Sequence, residues 1–97
     1  MIYHITTKTE WEKAQQDGFY KAASLDTEGF IHMCSAEQVE GVLERYFSNQ
    51  QDLVKLHINE ALLSSPLKYE LAPSVNDTFP HVYGTVNLDA VVNTSAI

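Results

Sequence analysis

The sequence predicts a small α+β fold with a split, largely antiparallel β-sheet and two main helices. Two segments with helix-capping signals lie among several short runs of β-type residues. Neither the early nor the late strands have the regular helical crossovers that a parallel sheet requires. The 97 residues, 44% hydrophobic and 20% charged, suit one hydrophobic core and leave no room for a second. We therefore expect residues 1–97 to form a single domain.

The first capping signal predicts a helix early in the chain. Thr9 and Glu12 have the T-x-x-E spacing of a capping box, and Gly18 favours a helix end. The helix is therefore expected over residues 10–17. Before the helix, a strand is expected at Ile2–Ile5. After it, Phe19–Leu25 is expected to be extended, Asp26–Gly29 to form a turn, and Phe30–Cys34 to form a buried strand.

The second capping signal opens the clearest helix of the chain. Ser35 and Gln38 form an S-x-x-Q box, and Asn49 is the expected terminator. The apolar residues between them have helical spacing: Val39, Val42, Leu43, Tyr46 and Phe47. The remaining segments predict strands at Leu53–Ile58, Leu67–Ala72 and His81–Val86. A helical turn or loop is predicted at Asn59–Ser65, a loop at Pro73–Thr78, and a last strand or turn at Leu88–Asn93.

Charge and composition narrow the function classes. Thirteen acidic residues against six basic ones give a net charge of −7, which repels phosphate backbones, so we expect no nucleic-acid partner. No apolar run approaches the roughly 20 residues needed to cross a bilayer, so no membrane association is expected. The single cysteine, Cys34, suits a reducing compartment, and we expect a cytoplasmic protein. A small-molecule ligand or one nucleotide remains as the partner, and the oligomeric state is left open.

Histidines on predicted strands are the first candidate site residues. His4, His32 and His81 each have aromatic or bulky apolar neighbours, and histidine is well suited to proton transfer near neutral pH. The alternative for each is a structural role, with the ring hydrogen-bonded to a nearby carbonyl. His57 shares a predicted face with Lys55, so it is expected to be solvated and is left out of the site.

A carboxylate, a thiolate and a metal are three further candidates for a site. Glu70 is a candidate carboxylate in the middle of a predicted strand, although with Lys68 beside it the solvated face is the alternative. Cys34 lies two residues from His32 and just before a helix, which would favour a thiolate, but a buried inert thiol is the stronger interpretation. We expect no metal, because neither H-x-x-x-H nor C-x-x-C occurs. G-x-G-x-x-G, G-K-[ST] and G-x-S-x-G are also absent, which argues against a classical dinucleotide fold, a P-loop and an α/β-type serine hydrolase.

A combination of motifs along nearly the whole chain resembles the domain of unknown function family 952, which comprises small bacterial and plant proteins. The motifs are I-Y-H-I at 2–5, Trp11 with Ala14 and Gly18, S-L at 24–25, E-G-F-I-H at 28–32, Gln38, Y-F at 46–47, Glu70 and F-P-H-V-Y-G at 79–84. The resemblance implies an ADP-ribosyltransferase-like fold, a split sheet that clamps NAD. The segment I-H-M-C-S at 31–35 is also similar to the H-x-H-L-S strand of RNA 2′-phosphotransferases, another branch of that fold. Cys34 stands where a serine is usual.

The resemblance also implies roles for particular residues. Contacts to the NAD cofactor would come from His4 and His32 on two strands, from Ser24, from an aromatic ring of Tyr3, Tyr20 or Tyr83, and from the position of Cys34. Glu70, with His81 as the alternative, would stabilise the ribose as nicotinamide leaves. We take His32, Glu70 and His81 as catalytic candidates. An NAD-using transferase of ADP-ribosyl or phosphate groups is one hypothesis. A nucleotide-binding module without catalysis and a purely structural domain are the others.

Overall fold

Strand pairing is antiparallel throughout the computed structural model, which describes residues 1–97. The eight strands are β1 Ile2–Thr7, β2 Phe19–Tyr20, β3 Ile31–His32, β4 Leu53–Ile58, β5 Leu67–Ala72, β6 Asp77–Val82, β7 Val86–Asn87 and β8 Val91–Ala96. They form two three-stranded sheets, ordered β1-β4-β8 and β3-β6-β5, and a β2-β7 pair. The predicted α+β class with antiparallel sheets is confirmed.

The two larger sheets meet at one isolated bridge. Tyr3 on β1 and Cys34, just after β3, exchange two backbone hydrogen bonds of 2.8 Å each. On its other edge the whole of β1 pairs with β4, from Ile2 opposite Ile58 to Thr7 opposite Leu53. The β-structure is therefore split, and the backbone around Cys34 holds its halves together.

Three helices connect the strands: α1 Lys8–Asp17, α2 Ala23–Glu28 and α3 Val39–Tyr46. Single 3-10 turns lie at Ala36–Gln38, Glu60–Leu62 and Leu88–Ala90. No helix combines the length and apolar character needed to span a membrane.

The first helix begins earlier than its predicted cap. Thr7 has an extended backbone, and its side chain accepts a 3.1 Å hydrogen bond from the Glu10 amide, so Thr7 and not Thr9 is the N-cap. β1 thus runs into α1 without a loop. The predicted helix end is confirmed, since Gly18 takes a left-handed conformation (φ 87°) and donates to the Ala14 carbonyl. The box of Ser35 and Gln38 is also confirmed, although its first turn is 3-10.

The prediction of extended chain over Phe19–Leu25 and a turn over Asp26–Gly29 is wrong after Tyr20. The chain forms α2 instead, which ends at Gly29 (φ 89°). This helix has no side-chain cap and no buried residue, so it leaves neither signal in the sequence. The following strand is shorter than predicted, since β3 covers only Ile31–His32.

Boundaries in the last third of the chain also differ from the prediction. β6 begins at Asp77, inside the predicted loop, and ends at Val82, so the predicted strand His81–Val86 is interrupted after Val82 and resumes only at Val86, where β7 begins. The segment predicted to begin at Leu88 starts as a 3-10 turn, and β8 follows only from Val91.

The core lies on one face of the central strands. Its buried members are Ile2, Ala14, Tyr20, Ile31, Met33, Val54, Leu56, Ile58, Val82, Val86 and Ala90. The alternate residues Val54, Leu56 and Ile58 of β4 lie in this core. On β5, an edge strand, the apolar residues are buried to different extents. Leu67 packs against the core, while Tyr69 and Leu71 are exposed.

Candidate functional site

The strand register places the catalytic candidates side by side. His81 on β6 is directly opposite His32 on β3 and Lys68 on β5. Residues directly opposite one another project to the same face of a sheet, and so do residues two apart along one strand. Glu70, two residues after Lys68, therefore joins the two histidines on this face. Tyr83 lies just after the end of β6, and its hydroxyl reaches Glu70.

Glu70 is held by two side chains. Its Oε1 atom accepts a hydrogen bond from the Tyr83 hydroxyl and lies 2.8 Å from Nδ1 of His81. The Tyr83 hydroxyl, and to a lesser degree His81, hold the pKa of Glu70 below its usual value. The same bond raises the pKa of Tyr83. An ionised carboxylate only accepts hydrogen bonds, so Nδ1 of His81 carries the proton.

This assignment leaves the other nitrogen of His81 available. In the neutral tautomer selected by this contact the lone pair is on Nε2, and Nε2 makes no hydrogen bond within the protein. The ring is buried, with 7% of the residue exposed, and it lies flat against Phe30, with centroids 4.0 Å apart and planes 10° apart. A carboxylate-oriented imidazole with a free Nε2 is the arrangement of a general base.

Phe30 links the members of this cluster, although sequence reasoning gave it no role. Its ring also meets His32 edge-on at 4.9 Å and Tyr83 at 5.4 Å. The position of Phe30 in the sequence could have indicated this role. Gly29 ends α2, so Phe30 leads into β3 and lies two residues before His32, on the same face.

Glu28 is a second residue that sequence reasoning did not assign to the site. Its Oε2 lies 3.0 Å from Nε2 of His32, and both side chains are about half exposed. The spacing of four residues spans the end of α2, so this unpredicted helix positions the carboxylate. The two histidine rings are 5.3 Å apart, and each has its own glutamate.

A cleft of about 640 Å³ opens beside the two histidines. Its walls come from β1, α2, the segment around β3, the end of α3 and the β5–β6 hairpin. Eleven of its eighteen lining residues are hydrophobic. The lining includes six of the sequence candidates, namely Tyr3, His4, Ser24, His32, Cys34 and His81. Glu70 and Tyr83 stand behind His81 and do not line the cleft.

His4 lies at the cleft wall, but its ring is committed to the protein. Nδ1 contacts the carbonyl oxygen of His32, which only accepts, so Nδ1 is protonated and Nε2 accepts from the Tyr20 hydroxyl at 2.7 Å. The Tyr20 and Thr6 hydroxyls are 3.1 Å apart. Burial lowers the pKa of His4 to about 4, so the ring is neutral at pH 7. This matches the structural alternative for a strand histidine.

Cys34 contributes backbone and shape. The residue is 2% exposed, and burial raises the pKa of its thiol to about 11. A thiol of that pKa is protonated at neutral pH, so the arrangement does not provide a thiolate nucleophile.

His57, left out of the site, lies on the far side of β1. It is half-buried rather than solvated, because Nε2 contacts the Ser95 hydroxyl at 2.7 Å and the ring packs on Tyr3 at 5.1 Å. No group of three or more His, Cys, Asp or Glu residues is arranged to hold a metal ion.

Comparison with known proteins finds structures that are similar to this chain. No curated protein matches the chain. Crystal structures of protein CC0527 from Caulobacter crescentus are similar, the first at 29% identity and TM-score 0.87 over 97% of this chain and 82% of that one. A double mutant of CC0527, at 28% identity, has the same TM-score and coverage. A solution NMR structure of CC0527, also at 29% identity, gives 0.84 over 99% and 83%.

The family itself is shown by the sequence match. Residues 5–94 match the family described as protein of unknown function, DUF952. That match covers almost the whole chain, and it includes β1 from Ile5, β3, β5 and β6, the strands around the cleft. The chain therefore belongs to the DUF952 family.

Proposed function

We propose that the cleft binds a nucleotide-sized small molecule, with NAD as the first candidate, and that His81 is the general base of an ADP-ribosyl transfer. The observation that carries this proposal is the placement of His81. It lines the cleft, its Nδ1 is fixed by Glu70, and its Nε2 is free. The split, antiparallel β-structure supports the proposal, because the resemblance noted in the sequence implies a split sheet that clamps NAD.

The chemistry requires one proton acceptor and a leaving group. Nε2 of His81 takes the proton of an acceptor hydroxyl or of water, and the oxygen forms a bond to C1′ of the nicotinamide ribose. The C1′–N bond breaks, and its electron pair neutralises the positively charged ring nitrogen as nicotinamide leaves. The ionised Glu70 stabilises the imidazolium formed at His81. Glu70 is thus a positioning residue.

The dimensions and lining of the cleft suit such a ligand. Its volume of about 640 Å³ lies within the range of roughly 300–1,000 Å³ that is typical of small-molecule sites. Phe30 and His32 present aromatic surface beside His81 for a planar base. Ser24 adds a hydroxyl from the first turn of α2. His4 shapes the wall through its ring and offers no free nitrogen.

A binding module without turnover is the second candidate. Glu70 lies outside the cleft lining, so no carboxylate of that strand touches a bound ribose. The only lining carboxylate is that of Glu28, and it is already paired with His32. This placement favours recognition over catalysis by direct carboxylate contact.

Amide NMR titration and nicotinamide release together separate the candidates. For the wild-type protein with NAD we expect amide shifts around residues 24–34 and 79–83, together with nicotinamide release. His81→Gln and Glu70→Gln should bind NAD and lose release, by roughly a hundredfold or more for a general base. His57→Gln, a histidine outside the cleft, should behave like the wild type.

Each result decides between the proposals. Binding without release in the wild type would leave the binding module. A flat titration at millimolar NAD would remove NAD as the ligand. Release that survives in both His81→Gln and Glu70→Gln would remove the general base assigned here.

A further inference from the structure

We propose that the apolar part of the cleft is a subsite for a largely apolar small molecule that carries a hydroxyl group, which serves as the acceptor. The role of this molecule as the acceptor rests on the proposed function. Its apolar character is inferred from the residues that line the cleft. The apolar lining indicates the class of substrate, which the cluster of histidines alone does not define.

Two parts of the chain, called walls here, supply the apolar surface of the cleft. Val42 and Phe47 come from α3 and the residue that follows it, and Leu71 and Phe79 come from the β5–β6 hairpin. Phe79 is on β6 two residues before His81, so it projects to the same face as the free imidazole nitrogen. A molecule between the walls therefore has its apolar body near Phe79 and its polar end near His81.

The rim of these walls is also apolar. Tyr46 on α3 is 61% exposed and Leu71 on β5 is 59% exposed, although both line the cleft. Large exposed apolar side chains at a concave opening are typical of ligand sites, because the ligand covers them. These two residues are the exposed surface that an apolar acceptor would bury.

The charges around the cleft favour an acceptor without a phosphate or carboxylate. No lysine or arginine lines the cleft. Arg45 and Lys55 lie over the rings of Tyr46 and Tyr3, at 5.7 and 5.3 Å from the ring centroids, and are not lining residues. An anionic group in the apolar part would lose its hydration without gaining an ion pair. The proposed NAD site is compatible with this only when the diphosphate lies outside the apolar part, in contact with water. A hydroxyl group avoids this penalty and brings the proton that Nε2 of His81 can accept.

Two probes that share a hydroxyl group test the apolar requirement. We expect 4-phenylbutan-1-ol to shift the amides of residues 42–47, 71–74 and 79–81. Butane-1,4-diol, which lacks the ring, should bind at least roughly tenfold more weakly, since burial of an aromatic ring is the main source of affinity. Equal affinity of the two probes, or shifts confined to other residues, would overturn the proposal.

Exposed positions provide variants that leave the core intact. Leu71→Ser combined with Tyr46→Ser should weaken 4-phenylbutan-1-ol by roughly tenfold, because both side chains would be covered by the probe. Leu62→Ser is the matched control, because Leu62 is 46% exposed and does not line the cleft. An equal loss in the control, or none in the double variant, would contradict the assignment.

A parallel NAD titration keeps this inference distinct from the proposed function. NAD shifts without 4-phenylbutan-1-ol shifts would remove the apolar subsite and leave the NAD site. Shifts with the alcohol alone would support the apolar subsite and remove NAD. With both ligands bound, ADP-ribosylation of the alcohol, detected by mass spectrometry, is the expected result for an acceptor, and its absence while water is used would overturn that role.

Discussion

The carboxylate of Glu70 holds the imidazole of His81 across the β5–β6 ladder, with Oε1 2.8 Å from Nδ1. The two residues are not directly opposite. Glu70 pairs with Phe79, and His81 pairs with Lys68, so the contact is a diagonal one on a single face of the sheet. This relationship orients the only histidine that is both buried and free at one nitrogen, and it determines what the cleft can do chemically.

Removal of the Tyr83 hydroxyl should raise the pKa of Glu70. The bond from Tyr83 is the largest cause of the lowered pKa, so Tyr83→Phe should move it back toward 4.5. The measurement is a carbon-detected NMR titration of the Glu70 carboxyl. Tyr69→Phe is the control, because Tyr69 donates a hydrogen bond in the same way to Glu60. An unchanged Glu70 titration in Tyr83→Phe would contradict the assigned cause.

The same bond predicts a pH-dependent stability. The pKa of Glu70 is lower in the folded state than in the unfolded chain, so its contribution is complete above the unfolded value of 4.5 and is lost as pH falls through the folded value. Urea unfolding of wild type and Glu70→Gln should therefore differ most above pH 4.5, and the two should converge in acid. A constant difference at every pH would be inconsistent with ionisation as the cause.

His4 should make the fold sensitive to mild acid. Its pKa falls from 6.5 to about 4 on folding, which at about 1.4 kcal/mol per unit is roughly 3 kcal/mol. The unfolded chain binds the extra proton between these values, so stability is complete above pH 6.5 and declines toward pH 4. Urea unfolding at pH 7 and pH 5 should show this decline in the wild type and much less of it in His4→Gln. Equal declines would assign the titration to other groups.

Cys34 should react slowly while the protein is folded. A pKa raised from 9.0 to about 11 leaves roughly a hundredfold less thiolate near neutral pH, and burial adds a steric barrier. Iodoacetamide labelling, followed by mass spectrometry, should be slow in buffer and fast in urea. Cys34→Ala should bind NAD as the wild type does, and fast labelling of the native protein would contradict this account.

Two glycine substitutions should have opposite effects. Gly29→Ala places a Cβ at φ 89° and should destabilise the protein by about 1 kcal/mol, while weakening any ligand that stacks near Phe30. Gly41→Ala lies inside α3, where only the flexible end of Arg45 must move, and helix propensity predicts a gain of up to roughly 0.8 kcal/mol. Thermal unfolding measures both, and a loss at Gly41 equal to that at Gly29 would contradict the reasoning.

Local signals in the sequence were sufficient for the elements that they control. The box of Ser35 and Gln38, the alternation over Leu53–Ile58 and the stop at Gly18 predicted a helix start, a central strand and a helix end that the structure contains. Each depends on residues a few positions apart, where side-chain geometry and backbone preference act directly. The short helix α2 had no such signal and was missed.

The candidate site was only partly within reach of the sequence. His32, His81, Glu70 and Tyr83 were chosen from the sequence, and the structure brings them together on one face. The number and chemical type of these residues could be seen in the sequence. Which ring nitrogen of each histidine stays free of a protein partner could not. Phe30 and Glu28 were missed because their contacts depend on where α2 ends and on how β3 pairs with β6.

The sequence by itself determined the α+β class, the acidic charge of −7 and the residue types available for chemistry. Only the tertiary structure decided their roles. His4 and His81 both lie on strands among apolar residues, yet His4 is bonded at both nitrogens while His81 keeps Nε2 free. The physical reason is that a ring's protonation and availability depend on burial and on partners that come from distant parts of the chain, 28 residues away for His4 and 11 for His81.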